Sequence, residues 1–159
     1  MKTKDLIRFF RVIRLTAVAA GVIWCCSPAA TAAAQNQVTT HVKVIQASTQ
    51  SRSVDPALRR IVPELESVFK YTGYTLLQDQ TLSLAFQQPG RIRLPDRRTL
   101  QLTPTGNQGG RIQYDIRILK KGASVFQTRI LLKNNHSMTI GGPRSDHGVL
   151  LFHITGSMP

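Results

Sequence analysis

The sequence predicts an α+β fold that is mainly antiparallel β: a curved sheet or β-sandwich of about eight strands, with one early helix interrupted by a proline. Three observations carry this. From residue 72 onward apolar residues recur with period two, and turn chemistry breaks the pattern at short intervals. Only residues 55–70 repeat with a helical period. A run of strands following a single early helix reads as a helix packed on an antiparallel sheet.

The chain opens with a segment that reads as an export signal. Lys2, Lys4, Arg8, Arg11 and Arg14 stand against one acid, Asp5, and are followed by the apolar run LTAVAAGVIWCC and the small-residue stretch SPAATAAA. This is the order of a secretory signal peptide, with cleavage expected between Ala34 and Gln35 or, alternatively, near residues 30–32. Residues 15–34 reach the length of a bilayer span, about 20 residues. Pro28 and the weakly apolar alanines speak against a retained anchor, and Cys25 and Cys26 lack the small preceding residue of a lipidation site. The expected location is therefore periplasmic or extracellular, with membrane anchoring as the lesser alternative.

Residues 35–159 then form one expected β-rich domain, long enough for an apolar core without cross-links. Both cysteines and the single tryptophan leave with the signal, which excludes a disulfide, a cysteine-ligated metal and a thiol nucleophile from the rest. Five of the 21 Lys and Arg and one of the eight acids leave as well, so the net charge falls from +13 to +9.

QVTTHVKVIQAS is the first expected strand, with Thr40, Val42, Val44 and Gln46 on one face and His41, Lys43 and Ile45 on the other. In the helical stretch Leu58, Ile61, Val62, Leu65, Val68 and Phe69 form one apolar stripe. Asp55 suits an N-cap and Pro56 the first helical position, while Pro63 kinks the helix or divides it. If it divides, Glu64 and Glu66 enter the first turn of the second piece, where the helix dipole favours them. GYTLL and TLSLAF read as two strands, QPGR as a turn, RIRL and TLQLT as a hairpin around LPDRR, and TGNQGG as a connection. RIQYDIRIL alternates most cleanly, with Ile112, Tyr114, Ile116 and Ile118 inward. SVFQTRILLK, SMTI and GVLLFHIT complete the set, and Phe86, Phe126 and Phe152 read as core.

Residues 140–148, IGGPRSDHG, contain the residue types of a hydrolase triad and of a phosphate loop. Ser145, Asp146 and His147 are consecutive, so an extended chain points them in alternate directions and they cannot converge as a triad does. The glycines run into a strand, whereas a phosphate loop runs into a helix N-terminus. The expected role is a hairpin connection, with the glycines at positive φ and Pro143 fixing a bend. His147 and His153, six residues apart, are too distant on one strand to share a metal ion, and surface or rim positions are expected for the histidines. Seven scattered carboxylates show no catalytic pairing. No catalytic residue, metal site or cofactor is expected, and a hydrolase remains the remote alternative.

The positive signal is arginine. Arg91, Arg93, Arg97, Arg98, Arg111, Arg117, Arg129 and Arg144 are the candidate anionic-ligand residues, because strand arginines at period two share a face. Nucleic acid is not the expected ligand, since a sheet that reads it interleaves aromatics on the same face and here the rings fall in the inward register. A solvated basic face that keeps a small exported domain soluble is the competing explanation.

VDPALRRIVPELESVFKYTGYTLL, followed by TIGGP and GVLLFHIT, resembles small exported bacterial proteins of no assigned function, in which a helix with an aromatic tail precedes antiparallel strands. The resemblance spans most of the exported part and implies a fold without bringing any site residue. The expected function is a non-enzymatic exported domain that binds an anionic envelope component, a glycan or a lipid headgroup, through a basic sheet face, with peripheral membrane contact. The alternative is an assembly or scaffolding subunit of an envelope or secretion complex that pairs with a protein partner through an exposed strand edge.

Overall fold

The computed structural model describes residues 37–159. The expected signal segment and its expected cleavage point lie outside the described residues. The fold is mostly antiparallel β, with eight strands in two four-stranded sheets, one helix and a 3-10 turn.

The first strand, β1 (Gln37–Ser48), is central because its alternation supplies two different faces. Val38, Thr40, Val42 and Val44 are buried between the sheets, while Ile45 and Ala47 are buried on the opposite face, beneath the helix. It pairs on one side with β2 (Gly73–Ala85) and on the other with the last strand, β8 (Gly148–Ser157), which in turn pairs with β7 (His136–Ser145). The second sheet runs in the order β3 (Gly90–Leu94), β4 (Arg98–Gln108), β5 (Arg111–Lys120), β6 (Ala123–Lys133). The path is thus a meander that crosses from one sheet to the other at β2–β3 and at β6–β7 and returns when β8 pairs with β1.

The gap between the sheets is filled by the inward positions of both. Ile92, Leu100, Leu102, Ile112, Tyr114, Ile116, Ile118 and Leu132 from the second sheet meet Val42, Val44, Leu150, Phe152 and Ile154 from the first, all nearly or fully inaccessible. β8 is buried on both faces, which explains its continuous apolar run Val149–Leu150–Leu151–Phe152. One polar contact crosses the gap: the Thr40 and Tyr114 hydroxyls are hydrogen-bonded at 2.8 Å.

Pro63 divides the helical stretch, as one of the two expected outcomes had it. Pro56–Leu58 is a 3-10 turn whose first N–H groups are capped by Asp55, which accepts from the Ala57 N–H at 2.9 Å. The helix α1 is shorter than the expected 55–70, running Val62–Val68 with Glu64 in its first turn, and the chain is extended again at Phe69. Leu58 and Leu65 seat this segment on Ile45, Ala47, Tyr74 and Leu151. The Tyr74 hydroxyl donates to the Phe69 carbonyl at 3.1 Å and ties the helix exit to the sheet.

Three sequence expectations need correction. GYTLL and TLSLAF are not two strands: β2 is continuous, with a bulge at Leu77 opposite Val44 and Ile45, while Gln78, Asp79 and Gln80 pair in regular register with Val44, Lys43 and Val42. TGNQGG is mostly strand, since β4 bulges near Pro104 and Gly106 and continues to Gln108, leaving Gly109 and Gly110 as the turn at positive φ. IGGPRSDHG is likewise mostly strand. β7 extends through a bulge between Gly141 and Arg144 to Ser145, and only Asp146 and His147 connect it to β8. The expected positive φ belongs to Gly148, at 143°, and not to Gly141 or Gly142. Gly142 is required for a different reason, because a Cβ there would stand 2.4 Å from the Phe152 ring.

Candidate functional site

The outer face of the second sheet is built by alternation. Because Ile92, Leu100, Leu102, Ile112, Ile116 and Ile118 point inward, their neighbours point to solvent. Pairing then sets the rows. Arg91 lies opposite Gln101, Gln101 opposite Arg117, and Arg117 opposite Gln127. Arg93 continues the edge opposite Thr99, Arg129 lies opposite Asp115, and Arg111 lies opposite Lys133. Arg97 sits in the β3–β4 turn at the end of the same face and lines a depression there together with Arg91. Six of the eight arginines expected to bind are thus gathered on one side of one sheet.

The other two are not. Arg98 starts β4 in the inward register, donates to Asp96 at 2.9 Å and also to the backbone carbonyl of Arg144 at 2.7 Å. It serves as a clamp between the two sheets at their rim. Arg144 lies on β7 of the first sheet and lines a separate open depression of about 410 Å³ with Ser48, Tyr71 and Ser145. Local alternation with Leu100 and Leu102 could have separated Arg98, whereas the placement of Arg144 depends on the sheet switch at β6–β7.

The carboxylate on the basic face among the described residues is Asp115, and it is already engaged. Arg129 Nε donates to it at 2.7 Å, and this bond, with a smaller contribution from Arg117, holds the Asp115 carboxyl below the usual range. Neighbouring strands lie roughly 4.8 Å apart, so Arg91 and Arg117, two strands apart, are separated by about 10 Å at the backbone. That is close to one Debye length at physiological salt, about 8 Å, so their potentials overlap.

A second polar cluster was not anticipated. On the outer face of the first sheet, Asp79, Lys43, His153 and Thr139 form a row across all four strands. Asp79 bridges Lys43 and His41, and the Lys43 contact, followed by His41, pulls its carboxyl below the usual range. His153 is buried, contrary to the surface or rim position expected for it. Its Nδ1 lies 2.9 Å from the Thr139 hydroxyl. Burial pushes the imidazole below its ordinary value of 6.5; Glu64 opposes this, and Lys43 and His41 reinforce it. The signal was present in the sequence: His41 and Lys43 share a face with the buried Ile45 and Ala47, which marks where the helix cover stops. Among the described residues no carboxylate hydrogen-bonds to His153, so the arrangement lacks the orienting acid of a triad.

Ser145, Asp146 and His147 do not converge. Ser145 accepts from Gln46 Nε2 at 3.2 Å and faces the depression lined by Tyr71, whereas His147 lines another with Gln50, Gly73 and Thr75. Among the described residues no three His, Cys, Asp or Glu side chains come together to hold a metal ion. In comparison with known proteins, no family model matches the chain, and neither curated proteins nor solved structures give a match.

Proposed function

We propose that this is an exported domain that binds, without catalysis, an anionic component of the cell envelope, a glycan or a lipid headgroup, through the outer face of the second sheet. The observation that supports it most is the gathering of Arg91, Arg93, Arg97, Arg111, Arg117 and Arg129 on one face whose single carboxylate among the described residues, Asp115, is already paired. Other cations, among them Arg52, Arg59, Arg60, Lys70 and Arg144, lie elsewhere, so it is the density of arginine on this one face that supports the reading over charge spread for solubility alone. Among the described residues that face carries no aromatic ring, which favours an electrostatic surface contact over base stacking.

The test is binding to phosphatidylglycerol-containing vesicles and to a uronate polysaccharide across a salt series. Each basic residue near an anionic surface contributes about 1 kcal/mol. Removing three of them with Arg91→Ala, Arg93→Ala and Arg117→Ala together should weaken binding about a hundredfold. Arg59→Ala with Arg60→Ala, exposed beside the helix on the other sheet, should change it little. Binding that ignores salt, or its absence with both probes, refutes the reading.

A second reading, strand-edge pairing with a protein partner, is supported by β6. It is an 11-residue edge strand without proline, and Val125 and Leu131 on it are exposed. In-cell cross-linking that traps no partner counts against it.

A further inference from the structure

The β3–β4 and β5–β6 hairpins close at the same end of the second sheet, since Arg98 at the start of β4 pairs with Lys120 at the end of β5. Each closes through two residues at positive φ, Asp96 (59°) with Arg97 (56°), and Lys121 (51°) with Gly122 (84°). Such turns ordinarily take Gly, Asn or Asp, because a Cβ is disfavoured in the left-handed region. Arg97 and Lys121 occupy these positions at a conformational cost that glycine would avoid.

Both side chains line one depression. Arg97, Lys121 and Arg91, with Thr99, Leu119 and Gly122, line an open depression of about 440 Å³. Among the described residues none of these three cations has an ion-pair partner, and Asp96, next to Arg97 in the chain, is taken by Arg98 at 2.9 Å. Three unpaired cations around one concavity repel one another until an anion enters. A carboxylate or a phosphodiester brings one negative charge. A terminal phosphate ester brings about −1.5 to −2 near neutral pH and three strong acceptor oxygens, which matches two guanidinium forks and an ammonium. The volume falls in the range of small-ligand clefts, roughly 300–1,000 Å³, so it also accommodates the group that carries the phosphate. Thr99 supplies a hydroxyl and Leu119 an apolar floor for that group.

We propose that this depression is a binding site for a terminal phosphate ester, borne by a lipid headgroup or by a phosphorylated sugar. It rests on the reading of the same face as an anion-binding surface and adds to it a local preference for the phosphomonoester.

The turn geometry supplies a test that folding does not confound. Arg97→Gly with Lys121→Gly removes two charges while relaxing two strained backbone positions, and a urea unfolding curve confirms that the variant is folded. Native chain and variant are compared on phosphatidylcholine vesicles that contain phosphatidic acid, a phosphomonoester, or phosphatidylglycerol, a phosphodiester, at matched surface potential. Soluble glucose 6-phosphate is titrated separately. The native chain should prefer phosphatidic acid, and the variant should lose at least about tenfold on it while losing several-fold less on phosphatidylglycerol, because charge-assisted hydrogen bonds to one group are being removed. Saturable glucose 6-phosphate binding that the variant lacks also supports the site and identifies a sugar source, whereas a response to phosphatidic acid alone identifies the lipid. Equal affinity for the two lipids, with equal loss in the variant and no glucose 6-phosphate binding, overturns the site and leaves the basic surface standing. Failure of the native chain to bind vesicles, polysaccharide or glucose 6-phosphate overturns both.

Discussion

The Thr40–Tyr114 hydrogen bond joins the two sheets inside an otherwise apolar gap, and its removal has a calculable cost. Both residues are fully inaccessible, their hydroxyls are 2.8 Å apart, and among the described residues every buried side-chain nitrogen and oxygen has a partner. Tyr114→Phe deletes one partner and strands the Thr40 hydroxyl, which costs about 1–3 kcal/mol, the desolvation of a buried polar group left unpaired. Thr40→Val strands the Tyr114 hydroxyl at a similar cost. The double variant leaves neither group unpaired and keeps nearly the same shape, so it should lose no more than either single change, giving a coupling of about 1–3 kcal/mol. Urea unfolding followed by far-UV circular dichroism reads this directly, since slopes of about 1–3 kcal/mol/M turn a 2 kcal/mol loss into a midpoint shift near 1 M. Burial also pushes the Tyr114 phenol up to about 12, against the opposing effect of Thr40. A raised folded value means that this contribution is complete below pH 10 and is lost as pH rises toward 12, so Tyr114→Phe should flatten the alkaline limb of the stability curve. Losses that simply add in the double variant, or single variants as stable as the native chain, refute the placement of this pair between the sheets.

Further expectations follow from other parts of the molecule. Gly148→Ala should destabilise by about 3 kcal/mol or more, because φ is 143° and the new Cβ would stand 2.2 Å from the Ala47 carbonyl oxygen; an unchanged melting temperature refutes this. Stability should fall as pH drops below about 6.5 and the buried His153 is forced to take a proton, because its folded value lies below the ordinary 6.5 and the unfolded chain binds the proton first; His153→Asn should remove that slope. Asp79 and Asp115, both depressed, extend the loss below about pH 4. Asp115→Asn should release Arg129 on an exposed surface, changing stability by under about 1 kcal/mol while strengthening vesicle binding several-fold, as one more free cation on the face requires.

Much of the architecture was legible along the chain because its cause is local. RIQYDIRIL became β5 with Ile112, Tyr114, Ile116 and Ile118 buried, as its alternation requires. Asp55 and Pro56 began a helical turn and Pro63 divided what followed, since the missing N–H acts wherever the residue sits. Bulges were not legible. A bulge shifts register by one residue and is defined only by the strand opposite, so β2, β4 and β7 ran on through stretches whose glycines, prolines and polar residues suggest turns. His153 was misplaced for a related reason: the alternation of GVLLFHIT does not say that both faces of β8 are buried, which depends on how the rest of the chain packs around it.

The sequence by itself determined the antiparallel character, the helix break and the inward residues of each strand, because side-chain period and backbone chemistry act within a few residues. It also determined that arginines alternate with apolar residues on several strands. Only the tertiary structure decided which of those arginines meet. Strand pairing brings Arg91 and Arg117 into one row and sets Arg97 and Lys121 at the same end of the sheet, while the crossing to the first sheet at β6–β7 carries Arg144 away and leaves Arg98 as a clamp between the two. Charge is written residue by residue, but a charged surface depends on register and on which sheet each strand joins, and these are settled by contacts between residues far apart in the chain.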